Sequence, residues 1–256
     1  MALFYFKIND PVTKFESTYR IHLIINLATM RKFFIVLPLV TYFILSTACS
    51  DKPQPVTAEN GMVVSTSSYA SKVGVEILKK GGNAIDAAVA VGFALAVTYP
   101  SAGNLGGGGF MVIHLADGKN IAIDYREKAP LSADRDMYLN EAGEFVPELS
   151  QFGTTSAGVP GSVAGLIYAL EKYGTMSLAE VIQPAIDLAG NGWRLEKRDS
   201  IYFSNTIPLF SKYPSSMKIF TKEGVPYSTG ELFIQSDLAW TLRTDKRKRQ
   251  KRFLQR

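Results

Sequence analysis

The stretch NAIDAAVAVGFALAVTYP, Asn83 to Pro100, most restricts how this chain can fold. Asn83 reads as a helix cap, because its side-chain carbonyl can take an N–H that the first turn leaves unpaired. Asp86 then sits in the first turn, near the positive end of the helix dipole. Beyond it the apolar residues point in every direction instead of along one stripe, so this helix must be covered on all sides. It is shorter than the roughly 20 apolar residues that cross a bilayer, and its richness in Ala fits a core helix. With 256 residues, 46% of them hydrophobic, the chain has enough other material to cover it.

The neighbouring segments supply that cover. GMVVSTSS, Gly61 to Ser68, reads as a short strand ending in Ser67 and Ser68, either of which can cap the next helix. That helix reaches about Lys80, aligns Ala70, Val73, Ile77 and Leu78 on one face, and closes at Gly81 and Gly82. FMVIHLA and NIAIDYRE flank Asp117 and Gly118, a pair suited to a two-residue hairpin turn. Strand alternation puts Ala122, Asp124 and Arg126 on one face and Ile121, Ile123 and Tyr125 on the other. GVPGSVAGLIYALEKYG places Pro160 ahead of a helix that buries Val163, Leu166, Ile167 and Leu170. In SLAEVIQPAIDLAGNGW, Ser177 and Glu180 form a capping box and Pro184 predicts a kink. Gly192 to Trp240 reads as helix and loop with weaker periodicity, and no internal repeat is present. Helices on either side of a hairpin, without βαβ crossovers, define an α+β layered fold with an antiparallel sheet.

Between the apolar helix and the hairpin lie four consecutive glycines, Gly106 to Gly109. A phosphate-binding loop needs a helix N-terminus directly after it, to aim N–H groups and the helix dipole at the anion. Here a strand follows, and the Lys-Ser/Thr ending of a nucleotide loop is absent. The glycines are therefore read as allowing close backbone packing, against the Ala-rich helix, or as presenting free N–H groups to a small ligand.

Charge and metal-ligand content narrow the function. The overall charge of +5 is concentrated in RTDKRKRQKRFLQR, Arg243 to Arg256, where eight Lys or Arg face one Asp. Without that tail the chain is slightly acidic, and no basic stripe interleaved with aromatics appears elsewhere, so nucleic acid is not an expected partner. One cysteine, Cys49, excludes an internal disulfide framework and a multi-cysteine metal site. His22 and His114 lie far apart, and no metal or other cofactor is expected.

MRKFFIVLPLVTYFILSTAC, Met30 to Cys49, has the layout of a secretory signal: two basic residues, an apolar run, then Ser46, Thr47 and Ala48. Cys49 resembles the acylated cysteine of a bacterial lipoprotein, although Ser46 stands where that motif usually has Leu. Lipid anchoring at Cys49 and plain cleavage after Ala48 both stay open. The expected organisation is an upstream extension over 1–29, a signal over 30–49, a polar tether over 50–60, a folded domain over 61–242 and a basic tail over 243–256. The expected location is the exterior side of a bacterial envelope, periplasmic or membrane-anchored.

Six stretches then appear in order: GMVVSTSS, GGNAIDAAVA, YPSAGNLGGGGFMVIH, DYREKAP, GVPGSVAG and LAEVIQPAIDLA. Together they resemble the large-subunit half of the gamma-glutamyltranspeptidases, or glutathione hydrolases. The resemblance implies part of the αββα sandwich of an N-terminal-nucleophile hydrolase, whose precursor cuts itself into two subunits. It also implies that the new N-terminal Thr of the small subunit attacks the gamma-glutamyl amide, and that the glutamyl group passes to water or an amino-acid acceptor. Arg126 matches the family arginine that holds the α-carboxylate of the gamma-glutamyl group, a task suited to a two-donor guanidinium. Glu127 has a supporting role. Glutathione or another gamma-glutamyl compound is the implied ligand. No Thr-x-His segment is present: His22 lies in YRIHLI and His114 in MVIHLA, while Thr154 and Thr155 fall inside the large-subunit match. The chain is expected to be truncated, inactive alone and in need of a small subunit, with no catalytic residue of its own. The alternative is a non-catalytic envelope remnant that at most binds gamma-glutamyl compounds.

Overall fold

Two helices lie at the centre of the computed structural model, which describes residues 55–248 and whose folded unit begins at Ala58. Helix α1 (Ser68–Lys79) is capped by Ser67, whose hydroxyl accepts the Ala70 N–H at 3.4 Å. Ser68, the other candidate cap, donates instead to Glu196 at 2.7 Å. Helix α2 (Ala84–Thr98) starts at Asn83, which accepts the N–H groups of Ile85 and Asp86. As its composition requires, α2 is buried nearly all round, and it packs against α1 on one side. The two helices meet at Gly74, where an added Cβ would stand 2.7 Å from both Val63 and Val91.

Gly61 to Ser67 is not a strand. It joins no ladder, with Met62 and Val64 exposed, because no described segment lies alongside to accept its backbone hydrogen bonds.

The hairpin forms as expected from β1 (Phe110–His114) and β2 (Asn120–Asp124), antiparallel, with Val112 opposite Ala122. Its turn is one residue longer than Asp-Gly suggests. Leu115 still pairs with Lys119, leaving a three-residue loop with Gly118 at φ 86°, the left-handed bulge position that glycine adopts without strain. Asp117 accepts both the Lys119 N–H and its ammonium, which holds its carboxyl below the usual range. Ile113 and Ile123 face the core; Phe110 and Val112 stay 63% and 81% exposed on the other face, an apolar surface with no described cover.

After a long exposed connection holding the short helix α3 (Pro147–Gln151), α4 (Ser162–Tyr173) and α5 (Leu178–Asn191) close over α2. Glu180 accepts from the Ser177 N–H and hydroxyl, the reciprocal start that the sequence predicts, and α5 continues unbroken through Pro184. The remainder is a small aromatic-centred lobe. It comprises β3 (Trp193–Arg194), α6 (Lys197–Phe210), α7 (Pro214–Phe220), β4 (Thr221–Lys222), β5 (Val225–Pro226) and β6 (Leu232–Phe233). Strand β3 pairs with β6, and β4 with β5, both antiparallel. Phe203 and Phe233 are fully buried edge to face at 5.2 Å, with Phe220 and Tyr227 also at 5.2 Å from one or the other. Trp193 is buried there too, its indole N–H without a hydrogen-bond partner among the described residues. Helix α8 (Ser236–Lys248) returns to pack on α5 and carries the backbone past Arg243 without a break.

Candidate functional site

Arg126 sits two residues beyond the end of β2, on the exposed side that strand alternation assigns to it. Its inward neighbour Tyr125 is half-buried, and burial raises the pKa of its hydroxyl above the usual tyrosine value. The Tyr125 hydroxyl donates to the Phe110 carbonyl at 3.4 Å, a long and weak bond. Tyr125 thus roots the segment in the fold while Arg126 projects outward.

The guanidinium is only loosely engaged. Asp124 does not neutralise it; that carboxylate accepts the Arg126 backbone N–H at 3.0 Å. The nearest acid approach is Glu127 Oε2 at 3.7 Å from Nε, beyond hydrogen-bond length, so Glu127 contributes a nearby negative charge without occupying the fork. The Arg126 side chain is 64% exposed, and its guanidinium carbon lies 5.9 Å from the centre of the Phe110 ring. Among the described residues it makes no hydrogen bond from the guanidinium. A planar cation held in this way can take a carboxylate through two parallel N–H donors.

The glycine run has a different neighbour from the one expected. It does not pack on α2; Gly108 and Gly109 lie against Tyr125 and Arg126. The Gly107 carbonyl accepts the N–H groups of both Gly161 and Ser162 at 2.9 Å, which joins the run to the start of α4. At this helix start the Gly161 and Ser162 N–H groups are therefore taken by the Gly107 carbonyl instead of being left open to an anion. The participation of Gly161 and Gly165 was not read from the sequence, although the G-V-P-G-S-V-A-G spacing of small residues at a helix start carried the signal.

Other sequence candidates lie elsewhere or outside the described residues. His114 Nδ1 is 2.8 Å from Asn120 Oδ1 at the hairpin end. The Thr155 hydroxyl donates to the Leu149 carbonyl at 2.6 Å, in the exposed connection. Cys49 and the signal-like segment fall outside the described residues. Among the described residues no cluster of three or more His, Cys, Asp or Glu is arranged to hold a metal ion, and no helix is long and apolar enough to cross a membrane. A separate cleft of about 260 Å³ is lined by Tyr99, Pro100, Ser101, Asp199, Tyr202 and neighbouring side chains, and Arg126 does not line it. Arg198 at that cleft is already engaged, stacking 5.1 Å over Tyr99 and donating to the Thr66 carbonyl.

Comparison with known proteins gives this geometry its context. The family model for gamma-glutamyltranspeptidase matches residues 70–255. The glutathione hydrolase proenzyme of Pseudomonas sp. (strain A14) is 54% identical over 190 residues, covering 74% of this chain and 33% of that protein. The glutathione hydrolase proenzyme of Escherichia coli (strain K12) is 49% identical over 192 residues, covering 73% and 33%. The crystal structure of Helicobacter pylori gamma-glutamyltranspeptidase superposes with a TM-score of 0.73 at 50% identity, over 75% of this chain and 56% of that one. Over the matched residues the fold is α+β, part of the αββα sandwich of the N-terminal-nucleophile hydrolases. The chain belongs to the gamma-glutamyltranspeptidase family. It spans about a third of the length of the curated relatives it matches. The matched span reaches residue 255 and helix α8 runs to Lys248, both across the expected domain boundary between 242 and 243.

Proposed function

We propose that this chain is the donor-binding portion of a gamma-glutamyltransferase or glutathione hydrolase, and that Arg126 grips the α-carboxylate of the gamma-glutamyl group. The observation that carries the reading is the exposed, two-donor guanidinium of Arg126 just beyond the hairpin, making no hydrogen bond among the described residues, in a chain of this family. Arg126 orients the substrate and breaks no bond. By pinning the carboxylate end of the glutamyl group it fixes where the gamma-amide carbon lies, so that an attacking hydroxyl meets it in one orientation.

That hydroxyl comes from polypeptide outside these residues. None of the 256 residues forms a Thr-x-His segment. In the mechanism that family membership implies, an N-terminal Thr uses its own α-amino group as base and forms an ester with the glutamyl carbonyl as the amine leaves. Water or an amino acid then takes the glutamyl group. The exposed apolar face of the hairpin, Phe110 and Val112, supports a polypeptide partner at that side. The signal-like run over residues 30–49 supports export, with Cys49 as the acylated position of an envelope-anchored form.

The test is Arg126→Ala in a competent complex with glutathione as donor. KM rises on the order of tenfold or more, because a charge-assisted pair to the carboxylate is lost. An unchanged KM removes Arg126 from the donor site.

A further inference from the structure

We infer that Gly108, Gly109, Gly161 and Gly165 are positioning residues for Arg126: together they form a collar that fixes the backbone on which the guanidinium is mounted. The inference rests on the reading of Arg126 as the donor-carboxylate anchor.

The ladder does not hold this segment. The last paired residue is Tyr125, through its N–H to the Gly109 carbonyl at 3.0 Å, and the next tie is the bridge between Lys128 and Val159. Between those points, among the described residues, Arg126 and Glu127 make no backbone bond to a neighbouring strand. Close contact with glycines takes the place of pairing. A Cβ on Gly161 would stand 2.0 Å from the Tyr125 carbonyl oxygen, and one on Gly165 would stand 2.1 Å from Tyr125 Cγ. One on Gly108 would lie 2.8 Å from Arg126 Cα and 2.7 Å from the Glu127 nitrogen. At Gly108 and Gly161 the atoms met are backbone, of Tyr125, Arg126 and Glu127, so a methyl group added there pushes on the main chain that carries the guanidinium, whereas Gly109 and Gly165 meet the Tyr125 side chain. The two sides of the collar are joined by the Gly107 carbonyl, which accepts from Gly161 and Ser162. By contrast Gly106, in the same run, has open space where its Cβ would go.

This matters because a site that positions a reacting group tolerates only about 0.5 Å of error, and misplacement near 1 Å costs up to a hundredfold. If the glycines served only to close the fold, their substitution would lower stability without singling out donor binding.

The test compares Gly106→Ala, Gly108→Ala and Arg126→Ala in a competent complex, with glutathione varied. Gly108→Ala raises KM for the donor about tenfold with kcat held within about twofold, the same signature as Arg126→Ala, and Gly106→Ala leaves both constants within about twofold. Where Gly108→Ala does not assemble, Gly109→Ala replaces it: its Cβ meets only the Tyr125 ring edge, at 3.0 Å, and KM rises a few-fold. A fall in kcat with KM unchanged, or an equal KM rise in Gly106→Ala, overturns the collar. If Arg126→Ala raises KM while the collar variants do not, the collar fails and the donor-site reading stands; if Arg126→Ala leaves KM unchanged, both fail.

Discussion

Asp86 is a heavily used side chain. Fully buried, it accepts from the Asn83 N–H at 2.7 Å, closing the start of α2, and from the N–H and hydroxyl of Thr175 and the N–H of Met176, which join α4 to α5. Burial on its own would raise its pKa. The hydrogen bonds from Thr175, Met176 and Asn83 outweigh burial and hold the carboxyl below its ordinary value of 3.8. A lowered folded pKa means the unfolded chain binds this proton more readily, so the stabilisation is complete above about pH 4 and is lost as pH falls through the folded value. Asp86→Asn should therefore cost about 2 kcal/mol at pH 7, and the gap to wild type should narrow below about pH 4. Urea midpoints measured from pH 7 to pH 3 check this; a gap that stays constant on acidification would show that the charge is not the source.

Among elements, the α1–α2 crossing is the tightest test of how the core is packed. Gly74 leaves no room for a methyl group between Val63 and Val91, and both neighbours are short branched side chains with little freedom to yield. Gly74→Ala gains helix propensity but overpacks the crossing, with a net loss of about 1–2 kcal/mol in a thermal melt. An increase in Tm would mean the crossing is looser than described. The elements with strong local signals were legible in the sequence: the Asn83 and Ser177–Glu180 helix starts, the all-apolar α2 and the alternation of β2 follow from spacing alone. Where several segments compete, local pattern was insufficient. Gly61 to Ser67 has strand composition yet lacks a neighbour to pair with, and the Asp117–Gly118 pair adopts a longer loop because Leu115 and Lys119 keep their hydrogen bond. The small lobe after Gly192 has weak periodicity because aromatic contacts among Phe203, Phe220 and Phe233, distant in sequence, hold its short helices and two-residue strands. At the site, Arg126 and its outward face were legible from alternation; the glycines around it were not, since Gly161 and Gly165 meet Tyr125 only through tertiary packing.

At the scale of the molecule, the α-helical core is well buried, whereas the hairpin that carries Arg126 turns an apolar outer face, Phe110 and Val112, to solvent. A two-stranded ribbon with one bare apolar face gains stability when another layer covers it. That arrangement and the absence of a Thr-x-His segment from these 256 residues agree with the proposal that this portion binds the donor while the nucleophile lies outside it. The direct measurement is release of a chromogenic amine from a gamma-glutamyl amide. The purified chain alone should release none above background, and a mixture with a family small subunit bearing the N-terminal Thr should turn the substrate over; release by the chain alone would contradict the account.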